Sequence, residues 1–167
     1  MAAATTLSVT PAIAKANPSE VRIGVLDVKS KDLISHKDNV SLEYREYNRE
    51  DEKSARWMTS SGFDHGQLVV STFLDQMRKI DKDVPVKIYA ANIFQEKGAP
   101  NMNEMLSGQP SKRTLSVNWE GAEKALDWFK ENDVKVILTS FTASDTESLR
   151  SFMKKANAMG MTIFASA

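Results

Sequence analysis

The chain has 167 residues, a length typical of one domain, and 41% of them are hydrophobic, enough to form a core. Its 22 basic and 22 acidic residues cancel, and no apolar run approaches the length of a membrane span, so we expect neither a nucleic acid partner nor a bilayer crossing. Without cysteine and with only two histidines, the sequence excludes disulfides and cysteine nucleophiles and argues against a multi-histidine metal site.

The first 20 residues are expected to lie outside the folded domain, either as a disordered tail or as the remnant of an export signal. They are small and mildly apolar, and Ala12-Ile13-Ala14 resembles the small-residue site at which signal peptides are cleaved. A positively charged start is missing. The signal interpretation predicts a secreted or periplasmic protein, and the alternative is a cytoplasmic one.

Residues 21–167 alternate between strand and helix patterns. Strands are predicted over 21–27, 42–47, 86–91 and 136–140 and from Thr162 onward, and 95–112 is predicted to be a long loop. One helix is predicted over 65–80, where Val69, Phe73, Met77 and Ile80 recur at helical spacing. A second begins at Asn118, with one apolar face formed by Ala122, Ala125, Leu126 and Phe129.

A third helix is predicted after Ser144, which forms a capping box with Glu147. Its predicted buried face consists of Leu149, Phe152, Met153, Ala156 and Met159. Gly160 is expected to end it in a left-handed conformation. Together the elements predict an α/β fold with three α/β/α layers around a mostly parallel sheet.

Three polar residues are expected to meet at one edge of that sheet. Asp27 and Ser140 end strands and His65 begins a helix, and functional groups gather at the carboxyl ends of parallel strands. A buried aspartate can bind one imidazole nitrogen, which leaves the other to accept a proton from a hydroxyl. The plainer alternatives are an ordinary strand-end acid, a helix-start histidine satisfied by Asp64, and a serine in a turn.

The same segments resemble the subtilisin-like serine peptidases (subtilases). Val21–Asp27 is similar to the strand that carries their triad aspartate, Asp64-His65-Gly66 to the start of the helix that carries their triad histidine, and 136–142 to their substrate-binding strand. The resemblance covers residues 21–167 and implies the N-terminal part of a subtilisin-like catalytic domain. It keeps the order in which subtilisin presents aspartate and then histidine.

The resemblance implies an endopeptidase acting on polypeptides, with Asp27 and His65 catalytic and with Ser140, Phe141 and Thr142 contacting substrate. It implies no required cofactor and no catalytic metal, although structural calcium is common in that family. The nucleophilic serine and the oxyanion asparagine are expected beyond Ala167, so the chain alone is expected to be inactive. Its last strand is then expected to lie at an exposed sheet edge that invites self-association.

Departures from the family motifs support a second hypothesis, a non-catalytic pseudoprotease or peptide-binding module of the same fold. The aspartate stands in Asp27-Val28-Lys29 rather than before Ser or Thr and Gly, and the histidine helix lacks the family's run of small residues. Ser140-Phe141-Thr142-Ala143 lacks the glycines that give a substrate backbone room. A Rossmann-like or flavodoxin-like ligand domain is less favoured, because no glycine-rich loop follows the first strand.

Overall fold

The computed structural model describes residues 19–32, 39–47, 64–97, 114–141 and 143–165. The strands within them are β1 (Val21–Asp27), β2 (Val40–Glu46), β3 (Val86–Asn92), β4 (Phe94–Lys97), β5 (Thr114–Val117), β6 (Val136–Thr139) and β7 (Thr162–Ala165). The helices are α1 (His65–Ile80), α2 (Trp119–Glu131) and α3 (Glu147–Ala158).

Five of the strands form one sheet in the order β2-β3-β1-β6-β7, and every neighbouring pair in it is parallel. A parallel neighbour requires a crossover, and α1, α2 and α3 each lie between strands of this sheet along the chain. The α/β fold and the mostly parallel sheet that the sequence predicts are therefore confirmed. None of the helices in the described part of the chain has the length and apolar character needed to cross a membrane.

The core is divided between the two faces of the sheet. On one face Ile23 and Val25 of β1 are buried with Val70 and Leu74 of α1. On the other face Leu26 joins a cluster that includes residues of α2 and α3. Since side chains alternate along a strand, β1 contributes to both layers and is buried on both sides.

Helix α2 forms as its sequence predicts. The Asn118 side chain caps it by accepting a hydrogen bond from the backbone N–H of Gly121 at 3.1 Å. Its predicted apolar face is fully buried and comprises Ala122, Ala125, Leu126 and Phe129. Gly160, after α3, has φ 72°, as expected for a residue that ends a helix in the left-handed region.

The helix boundaries and faces differ from prediction in three places. Helix α3 begins at Glu147 with Thr146 as its cap, because the Thr146 hydroxyl accepts the Leu149 N–H at 3.2 Å, so the capping box predicted at Ser144 is wrong. Met153, expected in the core, is 46% exposed. In α1 the buried residues are Gly66, Val70 and Leu74. Val69 and Phe73 of the predicted stripe pack against the same core but are only partly buried, and Ile80 is exposed.

The loop predicted over 95–112 is wrong at its start. Residues 95–97 belong to β4, which pairs in antiparallel fashion with β5, a strand that the sequence analysis did not predict. Four-residue strands of mixed polarity carry no clear period-two signal, so their pairing was not visible in the sequence. The rest of that loop, residues 1–18 of the predicted tail, and Thr142 lie outside the described residues.

Candidate active site

Strand register brings Asp27 and Ser140 side by side. Leu26 of β1 is paired with Thr139 of β6, so the residue after each lies at the same level of the sheet. The apolar residues Val25 and Leu138 face α1. Asp27 and Ser140 each follow one of them by two residues along the chain. Because side chains alternate, both polar side chains also point to the α1 side.

Helix α1 delivers His65 to the same place. The helix follows β2 and precedes β3, so its first residue lies at the carboxyl edge of the parallel sheet. Its first turn is fixed by Gln67, whose side-chain Oε1 accepts the Asp64 backbone N–H at 2.9 Å. The helix start lies so close to the segment after β1 that a Cβ on Gly66 would overlap Val28 O and Ser30 Oγ.

The imidazole of His65 is bound to Asp27 through one nitrogen. Nδ1 lies 2.9 Å from Asp27 Oδ1 and 3.1 Å from Oδ2. Asp27 is 3% exposed, whereas the His65 side chain is 21% exposed. A carboxylate only accepts hydrogen bonds, so this contact selects the tautomer with the proton on Nδ1 and leaves Nε2 as the basic nitrogen.

Two further groups donate to the Asp27 carboxylate. The backbone N–H of Val28 donates to Oδ1 at 2.6 Å, and the Ser140 hydroxyl donates to Oδ2. Buried carboxylates need such donors, because an unpaired charge away from water is very costly. The structure therefore brings together Asp27, His65 and Ser140, the three polar residues that the sequence predicts at this edge.

The Ser140 hydroxyl lies on the wrong side of the ring to be a nucleophile for His65. Its oxygen is 3.5 Å from Nδ1, the nitrogen already bound to Asp27, and it donates to that same carboxylate. A serine nucleophile must instead give its proton to Nε2. The side chain of Ser140 thus supports the aspartate, a contact that the predicted role in substrate binding did not anticipate.

Phe141 forms part of the wall of an apolar groove. Its ring packs edge-on against Phe94, with the ring centroids 4.9 Å apart. The groove has a volume of about 320 Å³. Its walls are formed by Trp119, Thr139, Phe141, Ala143, Leu149, Phe152, Met153, Ile163 and Ala165.

A second groove opens directly on His65. It has a volume of about 440 Å³ and lies between α1 and the strands β6 and β7. Its walls are formed by His65, Leu68, Val69, Thr72, Phe73, Leu138, Thr139, Phe164 and Ala165. The imidazole is therefore bordered by Asp27 on one side and by an apolar, open surface on another.

Near the site, Tyr44 of β2 is held in its neutral form. Burial raises the pKa of its phenol well above the ordinary value, and the Glu46 carboxylate, which accepts the phenol's hydrogen bond at 2.8 Å, raises the pKa further. The phenol therefore stays protonated at a pH where an ordinary tyrosine ionises.

The described residues contain no group of three or more His, Asp or Glu side chains arranged to hold a metal ion. No such group is therefore present in that part of the chain for the structural calcium that is common in the subtilisin-like family.

The sequence analysis identified Asp27, His65 and Ser140 but did not predict how closely the start of α1 approaches the sheet. Gly66 was the available signal, because a glycine directly after the helix-start histidine is where a helix can approach the sheet most closely. Ser30, buried beside it and bonded to Val28 O at 3.2 Å, carried no signal.

In comparisons with known proteins, no protein-family model matches the sequence, and no curated protein matches it.

Proposed function

We propose that this chain carries the aspartate and histidine of a subtilisin-like serine endopeptidase, which hydrolyses peptide bonds in polypeptides. The observation that carries the proposal is the hydrogen bond of 2.9 Å between His65 Nδ1 and Asp27 Oδ1 at the carboxyl edge of a parallel sheet. The order of Asp27 and His65 along the chain, and the strand and helix that carry them, support the subtilisin-like form of the α/β fold.

In this proposal His65 acts first as general base and then as general acid. Its Nε2 takes the proton of a serine hydroxyl as the serine oxygen attacks the substrate carbonyl, and later gives the proton to the leaving amine. Asp27 fixes the tautomer and stabilises the imidazolium that forms between the two steps. The serine and the oxyanion donor belong to polypeptide outside the described residues.

The substrate is proposed to lie as an extended strand along the backbone that follows β6. Ser140 and Phe141 begin that segment, and Thr142, the third residue predicted to contact substrate, continues it. The apolar groove beside Phe141 supports binding of a large apolar side chain, since its walls are almost entirely hydrophobic.

The first test is to sequence the encoding DNA past the codon for Ala167. An open reading frame that continues into Gly-Asn and later Gly-Thr-Ser supports the proposal. A fluorophosphonate probe is then expected to label that serine in the encoded protein. In that protein His65→Ala is expected to lower kcat by a factor of about 10⁶ and Asp27→Asn by a factor of about 10⁴. The exposed Asp145→Asn is the matched control and is expected to keep full activity. Unchanged hydrolysis in the His65→Ala protein would overturn the proposal.

A non-catalytic peptide-binding module is the second candidate. It is favoured by Lys29, which occupies the position of a family glycine, and by Thr142 and Ala143, which stand where the family motif has glycines. A frame that continues without a serine segment would favour it. The chain should then bind unstructured peptides in a fluorescence polarisation assay, and His65→Ala should leave that affinity unchanged.

A further inference from the structure

A row of polar side chains crosses the carboxyl edge of the sheet on the α1 side. Asn92, which ends β3, is paired with Asp27 of β1 on one side and with Glu46 of β2 on the other. Ala90 of the same strand belongs to the core on the α1 face, so Asn92, two residues further, points to that face as well. The Asn92 amide therefore lies next to the carboxylate that binds His65.

The Asn92 amide is buried and its orientation is fixed. The residue is 0% exposed, and its Oδ1 accepts the Phe94 backbone N–H at 3.1 Å. Only the oxygen can accept that bond, so the NH2 group forms the opposite end of the amide. Nδ2 is fully enclosed and has no hydrogen-bond partner among the described residues. Because a buried donor without an acceptor costs free energy, we expect this amide to do more than fill space.

Titratable groups from three elements lie at this edge of the sheet. They are Tyr44 and Glu46 on β2, Asp27 on β1, and Asp64 and His65 at the start of α1. Burial, and then the Glu46 carboxylate, raises the pKa of the Tyr44 phenol, whereas the neighbouring amide of β3 lowers it. The positive end of the amide dipole thus lies among groups that are negative or can become negative.

We propose that Asn92 is a positioning residue, whose amide stabilises the charge of the buried Asp27 carboxylate beside His65. The three hydrogen bonds to that carboxylate come from the residue after β1, from α1 and from the end of β6, and the amide is its neighbour on the β3 side. A cation at position 92 would compete with the imidazole for Asp27, and a second carboxylate would repel it. A neutral amide stabilises the charge and leaves the imidazole in place.

The inference rests on the proposed role of Asp27 and His65. Its tests measure ionisation and stability rather than peptide hydrolysis, so the two proposals can fail separately.

The first test adds a charge without changing the size of the side chain. Asn92→Asp places a carboxyl group beside the Asp27 carboxylate, and two adjoining buried carboxyl groups cannot both ionise readily. In carbon-13 NMR titrations, the proton shared by this pair is expected to be lost at least about one pH unit above an ordinary aspartate. Since the folded state then holds that proton more tightly than the unfolded chain, the stability of the variant relative to wild type should fall as the pH rises through this range.

Asn157→Asp is the matched control, because it makes the same chemical change at an exposed position of α3. Its carboxyl group should titrate as an ordinary aspartate, and its stability relative to wild type should show no such fall with rising pH. Titration of the Asn92→Asp carboxyl groups in the ordinary range would overturn the proposal, because it would show that position 92 does not act on Asp27.

The second test separates this role from packing by a double-mutant cycle. Asn92→Leu keeps the approximate size of the side chain but removes the dipole and the acceptor for the Phe94 N–H. It is expected to raise the equilibrium constant for unfolding at least about tenfold more in the wild-type background than in Asp27→Asn, which has no carboxylate charge to stabilise. Urea titrations of the four proteins measure the difference. Equal effects in the two backgrounds would overturn the proposal, because they would mean that Asn92 serves packing and the Phe94 bond alone.

Discussion

The Asp27 carboxylate accepts hydrogen bonds from three groups: the Val28 N–H, the His65 ring and the Ser140 hydroxyl. Each comes from a different part of the fold: the residue after β1, the start of α1 and the end of β6. A carboxylate that is 3% exposed is stable only with such donors. Its rotamer, and with it the orientation of the imidazole, is therefore fixed by three separate elements.

Replacing Asp27 by Asn is expected to change the tautomer of His65. The amide offers one acceptor atom and one donor group in place of two acceptor oxygens, so Nδ1–H is no longer selected as strongly. Long-range ¹⁵N–¹H correlation spectra of the histidine ring report the ratio of tautomers directly. Asp145→Asn, which breaks the exposed ion pair with Arg150, should leave the ratio unchanged. An unaltered ring spectrum in Asp27→Asn would contradict the assigned hydrogen bond.

Replacing Ser140 by Ala removes one donor from a buried charge. The free energy of unfolding is expected to fall by about 1–3 kcal/mol, as measured by urea titration, while Nδ1 of His65 keeps its proton because the bond to Asp27 remains. Ser151→Ala removes an exposed hydroxyl that bonds Glu123 at 3.0 Å and should cost less than about 0.5 kcal/mol. Equal losses in the two variants would show that the Ser140 hydroxyl does not support Asp27.

Among the secondary-structure elements, α1 has the tightest placement relative to the site. Its first turn approaches the segment after β1 so closely that only glycine fits at position 66. The helix is amphipathic, with Val70 and Leu74 buried against β1 and β3. Packing of that apolar face and the contact at Gly66 together set where His65 stands relative to Asp27.

Substituting Gly66 by Ala is expected to move the start of α1 away from β1. The added Cβ would overlap the Val28 carbonyl oxygen, which is backbone and cannot turn aside, so a cost of about 1–3 kcal/mol is expected. The histidine ring spectrum should then show partial loss of the Nδ1–H tautomer. Gly160→Ala, where a Cβ meets no neighbour and only the positive φ is strained, is expected to cost about 1 kcal/mol and to leave that spectrum unchanged. A normal ring spectrum in Gly66→Ala would show that the close approach does not position His65.

For the whole molecule, the buried ring of Phe129 and the polar side chains of the candidate site lie on opposite faces of the sheet. Phe129 is fully buried under the face covered by α2, whereas Asp27, His65 and Ser140 lie on the α1 side or at the edge. The Phe129 ring therefore packs on the face of the sheet opposite to the imidazole of His65.

Phe129→Ala is expected to lower the free energy of unfolding by about 3–5 kcal/mol, because it removes a buried ring and leaves a cavity. The fraction that stays folded should keep the Nδ1–H tautomer of His65, since the ring lies on the opposite face. Ile80→Ala, at a position 83% exposed, should change stability by less than about 0.5 kcal/mol. Urea titration followed by tryptophan fluorescence measures the free energy of unfolding of both variants. Loss of the Nδ1–H tautomer of His65 in folded Phe129→Ala would argue against separate layers.

The regular elements with strong apolar patterns were determined by the sequence alone. Val21–Asp27, the helix over 65–80 and the face of α2 follow from local hydrophobic periodicity, and so does the α/β class. The polar residues at strand ends and at the start of α1 could also be identified, because a chain that alternates strand and helix places them at one edge. These features depend only on neighbours along the chain.

Only the tertiary structure decided how those residues meet. The register of Leu26 against Thr139 places the Ser140 hydroxyl on Asp27 and on the Nδ1 side of His65, which excludes Ser140 as the nucleophile for that ring. The pairing of β4 with β5 and the exposure of Met153 likewise depend on contacts between distant segments. Local periodicity carries no information about strand register or about which apolar residue finds a partner, because both are set by packing in three dimensions.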